Sequence, residues 1–262
     1  MIRRPPRSTP SNSSAASDVY KRQKEVEMGF IYGLDPLYWL LIGPTILLAL
    51  WAQMKVKSNF AKFSKYTTSN RLSGAEAAEA VLHYANIHDV KIEEVRGFLS
   101  DHYDPRSRTL RLSPDVFRGR SISAAGVAAH EAGHAIQHAR GYAPLAMRNA
   151  MVPLASFGSW LAWPMIFFGF LIQSLHLVQL GVIAFTALVA FQLITLPVEF
   201  NASTRAKTVL VKSGVLANQA EADGVGKVLN AAAMTYVAAT VTAIVQLIYF
   251  ALRAGLLGGG DE

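Results

Sequence analysis

His130-Glu131-Ala132-Gly133-His134 sets two imidazoles four residues apart with a carboxylate beside the first. On a helix, residues four apart lie about 40° from each other around the axis, so both rings project to one side and can share a metal ion. Glu131 is then placed to take a proton from an attacking water and pass it to a leaving amine. That is the chemistry of metal-assisted peptide hydrolysis. The chain contains no cysteine, which excludes disulfides and thiolate ligands and leaves His, carboxylate or carbonyl donors. Two neutral imidazoles and one carboxylate match an open zinc site binding one ion, with a fourth position free for the reaction.

The third ligand must come from elsewhere. His138 lies eight residues past His130, about 12 Å along a continuous helix, too far to join a metal between the first two rings. It reads as a residue supporting the ligands or at the surface. Glu199 is the better choice, because it ends an apolar run where an unpaired carboxylate is costly. Two crossings separate Glu199 from the His130 segment, so both lie on one side of a membrane whichever way the chain is oriented. An interfacial acid is the plainer alternative for Glu199. His102, Asp104, Asp115 and Asp223 are weaker candidates, since loop acids and lone histidines are usually solvated. Tyr236 and Arg205 are candidate donors to an oxyanion, against ordinary roles as an interfacial anchor and a topology signal.

The elements that must carry these groups follow from hydropathy. The chain is 52% apolar and only 16% charged, lean for a water-soluble fold. Leu37 to Met54 is long enough to cross a bilayer. Leu154 to Leu196 would extend about 65 Å as one helix, twice the hydrocarbon core, so it must fold back, and Gln173, Ser174, His176 and Gln179 mark the turn. Ala231 to Leu252 supplies a fourth crossing. The expected architecture is a mainly α membrane protein: four transmembrane helices with a small α+β, zincin-like catalytic insert. Its segments are 28–54 (first crossing), 55–153 (insert), 154–196 (hairpin), 197–230 (segment with the third ligand) and 231–262 (fourth crossing and tail).

Lys55, Lys57, Lys62, Lys65 and Arg71 follow the first crossing closely, so by the positive-inside bias the insert and the active site face the cytoplasm. Arg205, Lys207, Lys212 and Lys227 agree, while Arg253 beyond the fourth helix dissents. The net charge of +7 does not indicate nucleic acid. Residues 1–27, a stretch rich in Arg, Pro and Ser without apolar periodicity, carry +3 of it, and beyond them 19 basic residues face 15 acidic ones, a remainder of only +4. That stretch is expected to be a non-native or disordered leader, with Met28 as a natural start. The expected partners are a protein or peptide substrate and the lipid bilayer.

Within the insert, Ser73 and Glu76 form a capping-box pattern that opens a helix running to Asn86. Val90 to Val95 and Thr109 to Ser113 read as strands, with a turn at Asp104-Pro105-Arg106-Ser107. The second strand could hold substrate as an added strand, or be a plain sheet edge. The helix bearing His130 is expected to start at Ser123 and run through Ala139, with Gly141 ending it.

Three blocks, SDHYDPRSRTLRLSPDVF at Ser100 to Phe117, GVAAHEAGHAIQHA at Gly126 to Ala139 and PVEFNAS at Pro197 to Ser203, resemble the YugP-type membrane zinc metallopeptidases of bacteria. The similarity extends from about Met28 to the fourth helix. It implies zinc-dependent proteolysis at the bacterial cell membrane, with His130 and His134 as ligands and Glu131 as the catalytic acid/base. Glu199 falls where the broader HtpX-like group has its glutamate ligand. That group tends to place an Asp four residues later. Here the position is Ser203, and Asn201 is an alternative supporting partner.

Two other classes remain open. A non-catalytic scaffold that binds clients would not depend on Glu131. A transporter calls for charged or broken helices at mid-membrane in paired halves, and the central turns here contain no Asp, Glu, Lys or Arg.

Overall fold

A computed structural model describes residues 35–97 and 100–257; the leader expected at 1–27 lies outside them. The first helix, α1 (Pro36–Phe63), starts where Asp35 caps it: the Asp35 carboxylate accepts the Leu37 N–H at 2.9 Å, and Pro36 supplies a pre-set φ. Three more long helices follow the insert: α5 (Ala143–Leu171), α6 (Leu175–Lys212) and α7 (Gln219–Arg253). All four are long and apolar enough to cross a membrane. Trp39, Leu47, Phe157, Trp160 and Ile183 point outward from them, an apolar surface suited to lipid.

These helices overrun the apolar stretches. The α5 helix begins eleven residues before Leu154, α6 continues to Lys212, and α7 starts at Gln219. A membrane boundary need not end a helix, whose backbone bonds are satisfied in either medium. At about 1.5 Å per residue α6 is close to 57 Å long, well beyond the bilayer core, and its surplus length carries Glu199 into the insert. The α5–α6 turn occupies Ile172 to Ser174, with Gln173 at φ 58° and the Ser174 hydroxyl capping α6. His176 and Gln179 lie inside α6, not in the turn.

The insert opens with α2 (Gly74–Tyr84), whose Ser73/Glu76 capping box is fully formed. Strands β1 (Lys91–Glu94), β2 (His102–Asp104) and β3 (Thr109–Leu112) make one sheet in the order β1-β3-β2, parallel on one side and antiparallel on the other. The expected second strand is thus the central one. Its backbone is paired on both flanks and cannot accept substrate as an added strand; β1 and β2 are the edges. In the β2–β3 hairpin, Asp104 accepts from the Ser107 hydroxyl, Arg111 and the Arg106 N–H, and these contacts hold its carboxyl well below the usual range.

A short helix α3 (Pro114–Phe117) leads into α4 (Ile122–Ala139). Ser121, not Ser123, is the N-cap, its hydroxyl accepting the Ala124 N–H; Ser123 sits inside the helix and donates to the Phe60 carbonyl of α1 at 2.8 Å. Ser123 also begins an apolar run, which is why it resembled a cap. Leu110 and Leu112 of β3, Ala128 and Ala132 of α4, Ala206 and Leu210 of α6, and Val225 of α7 share one core. The insert is therefore built onto the protruding ends of the membrane helices rather than tethered beside them.

Candidate metal centre

The alanines and glycines of α4 let it lie close to its neighbours, and at the site it lies against the backbone of α6. A Cβ added to Gly133 would stand 2.7 Å from the Ala202 carbonyl of α6. With the two backbones this near, short side chains reach across. Glu199 Oε2 lies 3.2 Å from His130 Nε2 and 3.5 Å from His134 Nε2. Ligands about 2.0–2.1 Å from a tetrahedral zinc stand about 3.3 Å apart, so these spacings fit such an ion. One donor atom from each of the three residues lies within 4.8 Å of the others. Glu199 is 2% exposed, far too buried for the interfacial acid considered as an alternative.

The outward nitrogens are equally specified. The Gln137 amide donates from Nε2 to the Val198 carbonyl at 2.8 Å and to Asn201 Oδ1 at 3.0 Å. A backbone carbonyl can only accept, so Oε1 must face His134 Nδ1, 3.0 Å away. His134 therefore carries its proton on Nδ1 and turns the Nε2 lone pair toward Glu199. Ser203, one helical turn after Glu199, meets His130 Nδ1 at 3.1 Å. The same α6 face thus offers a carboxylate to one end of the His130 ring and a hydroxyl to the other. Ser203 supports the ring at the position where the resemblance led one to expect Asp, while Asn201 serves Gln137 and Arg205.

The remaining expected residues separate in space. His138 turns away and pairs with the Tyr103 hydroxyl at 2.9 Å. Arg205 donates to Asn201 and covers the Tyr142 ring. Tyr236 lines a cleft with His130 and Glu131, where a substrate carbonyl could lie. His102, Asp104, Asp115 and Asp223 do not join the His130–His134–Glu199 group.

Three functional neighbours had not been picked out. Gln137 is three residues past His134 on the same face, a spacing that signals contact. Arg148 of α5 brings Nη2 to 3.7 Å from Glu199 Oε1. Asp101 lines the cleft beside Glu131 and accepts from the Ser113 N–H and hydroxyl. Burial pushes its carboxyl up, Ser113 opposes this, and the Glu131 charge adds to it.

Residues 38–255 match the family described as "Putative neutral zinc metallopeptidase". The chain is 51% identical over 227 residues to the "Putative membrane protease YugP" of Bacillus subtilis (strain 168), covering 86% of this chain and 99% of that protein. No solved structure matches it. With the match spanning most of the sequence, this chain belongs to that neutral zinc metallopeptidase family.

Proposed function

We propose that the protein is a membrane-embedded endopeptidase that uses one zinc ion to hydrolyse peptide bonds in membrane or membrane-proximal proteins. The observation that carries this is the convergence of both Nε2 atoms on Glu199 Oε2, with both Nδ1 atoms tied to Ser203 and Gln137. His130, His134 and Glu199 hold the ion. Zinc bound there supplies Lewis acidity to the scissile carbonyl and to water.

Glu131, 9% exposed and facing the cleft, takes a proton from the attacking water and returns it to the leaving amine. Tyr236, on the cleft wall, supplies the hydroxyl that stabilises the oxyanion. Segments 55–153 and 197–230 together form the catalytic unit, and the lysines that follow the apolar stretch of α1 support a cytoplasmic orientation for it.

The test is cleavage of a membrane protein by purified wild type and Glu131→Gln, with zinc counted in both. Loss of at least about a hundredfold in rate at unchanged zinc content is expected. Equal turnover by the two proteins would instead identify a non-catalytic client-binding scaffold carrying a contaminating activity.

A further inference from the structure

The cleft that exposes His130 and Glu131 has a volume of about 360 Å³ and extends between α1 and α7. Its volume falls within the range of small-ligand sites, about 300–1,000 Å³. The apolar part of the α1 wall is Val56 and Phe60, flanked by Lys57, that of the α7 wall is Val228, Leu229 and Ala232, and Val127 of α4 joins them to the reacting groups. These are apolar contacts on three sides. On both walls the cavity sits where the long apolar run gives way to charged sequence: just past Met54 on α1 and around Ala231 on α7.

We infer that this cavity is the specificity pocket of the proposed peptidase and takes a bulky apolar side chain, Leu or Phe in kind, of a residue flanking the scissile bond. It rests on the hydrolase reading above. The argument is one of continuity: a peptide whose carbonyl lies against Glu131 and Tyr236 has a neighbouring side chain within reach of Val127 and Ala232, which line the same space. An apolar side chain there displaces water from apolar walls, whereas a small one leaves the pocket wet, a basic one faces the like charge of Lys57, and an acidic one exchanges its water for that single cation. The substrate class is thus a chain segment emerging from the bilayer surface with an apolar residue at the cut.

The test uses the full-length zinc-loaded protein in lipid nanodiscs and internally quenched peptides that differ only at the two residues flanking the bond: Gly, Ala, Leu, Phe, Asp or Lys. Cleavage sites are read by mass spectrometry. Leu and Phe should exceed Gly and Asp in kcat/KM by at least about tenfold at one flanking position. Ala232→Phe, which places a ring in the cavity, should erase that advantage, lowering kcat/KM for Leu and Phe peptides by a larger factor than for Ala peptides. Val56→Phe fills the cavity from the opposite wall and should do the same if the first variant does not fold. A flat or charge-preferring profile, or an apolar preference undiminished in the folded variants, overturns the pocket assignment alone. Absence of any zinc-dependent cleavage by wild type overturns the hydrolase reading, and this inference with it.

Discussion

Gln137 Oε1 lies 3.0 Å from His134 Nδ1, while the other end of the same amide is fixed by the Val198 carbonyl one residue before Glu199. One side chain thus sets the tautomer of one proposed ligand and ties it to the backbone carrying another. Partners of this kind are worth roughly 10–100-fold in metal affinity. Gln137→Leu is expected to lower zinc affinity by about that factor, measured by chelator competition, with Glu131 still in place. Gln137→Glu keeps an acceptor for Nδ1 and should lose less. Unchanged affinity in Gln137→Leu would remove the amide from the account of the site.

Gln137 carries no chemical signal of its own in the sequence, since a glutamine inside a helix is usually a solvated polar residue. What was legible there was chemistry with a period: the His130/His134 pair, and Glu199 by counting crossings. The Ser73 cap was legible because its partner is three residues away. Arg148 was hidden because its approach to Glu199 depends on how α5 packs on α6, and nothing in the local spacing encodes that. Strand β2 was hidden for a related reason: His102-Tyr103-Asp104 is too short to show alternation, and without it β3 looked like an edge.

Gly133 is the point at which the metal centre would be pried open. A methyl group at this position would meet the backbone carbonyl of Ala202 at 2.7 Å, so α4 or α6 must shift by several tenths of an ångström. Overpacking of this kind costs about 1–3 kcal/mol. Gly133→Ala should therefore unfold at lower temperature, and its zinc affinity should fall by more than about tenfold because the shift separates His134 from Glu199. Gly126→Ala meets only the Val225 side chain at 3.3 Å and provides the control. It should leave zinc affinity within about threefold of wild type. Equal zinc affinity in the two variants would show that the centre tolerates the displacement.

Arg148 faces Glu199 Oε1, whereas the imidazoles face Oε2. Its guanidinium balances the buried carboxylate when no metal does so, and once zinc is bound the same positive charge opposes it. The pair is 3.7 Å apart with Arg148 29% exposed, so about 1–2 kcal/mol is a reasonable scale, below that of a fully buried pair. Arg148→Gln should destabilise the zinc-stripped protein by that amount and the loaded protein by less. Thermal unfolding with and without chelator reads the difference. A larger loss in the loaded protein would mean that Arg148 holds the metal site together rather than substituting for the metal.

At the far end of the bundle, Arg253 answers the charge that ran against the positive-inside pattern. Asp35, 3% exposed, accepts from Arg253 Nη2 and from the Tyr249 hydroxyl, both at 2.5 Å, while its other oxygen caps α1. One carboxylate therefore joins the start of the first crossing to the end of the last. Asp35→Ala removes the cap and leaves a mostly buried guanidinium without its counter-charge, a change of about 3–5 kcal/mol for pairs of this kind. Asp35→Asn keeps an acceptor for Leu37 and Tyr249 but not the charge, and should fall between wild type and Ala. The double variant Asp35→Ala/Arg253→Met replaces the stranded charge with an apolar side chain and should recover a substantial part of the loss. Thermal unfolding in detergent ranks the four proteins. If the double variant is no more stable than Asp35→Ala, the cap rather than the ion pair holds α1 against α7, because only the ion pair leaves a charge for Met to relieve.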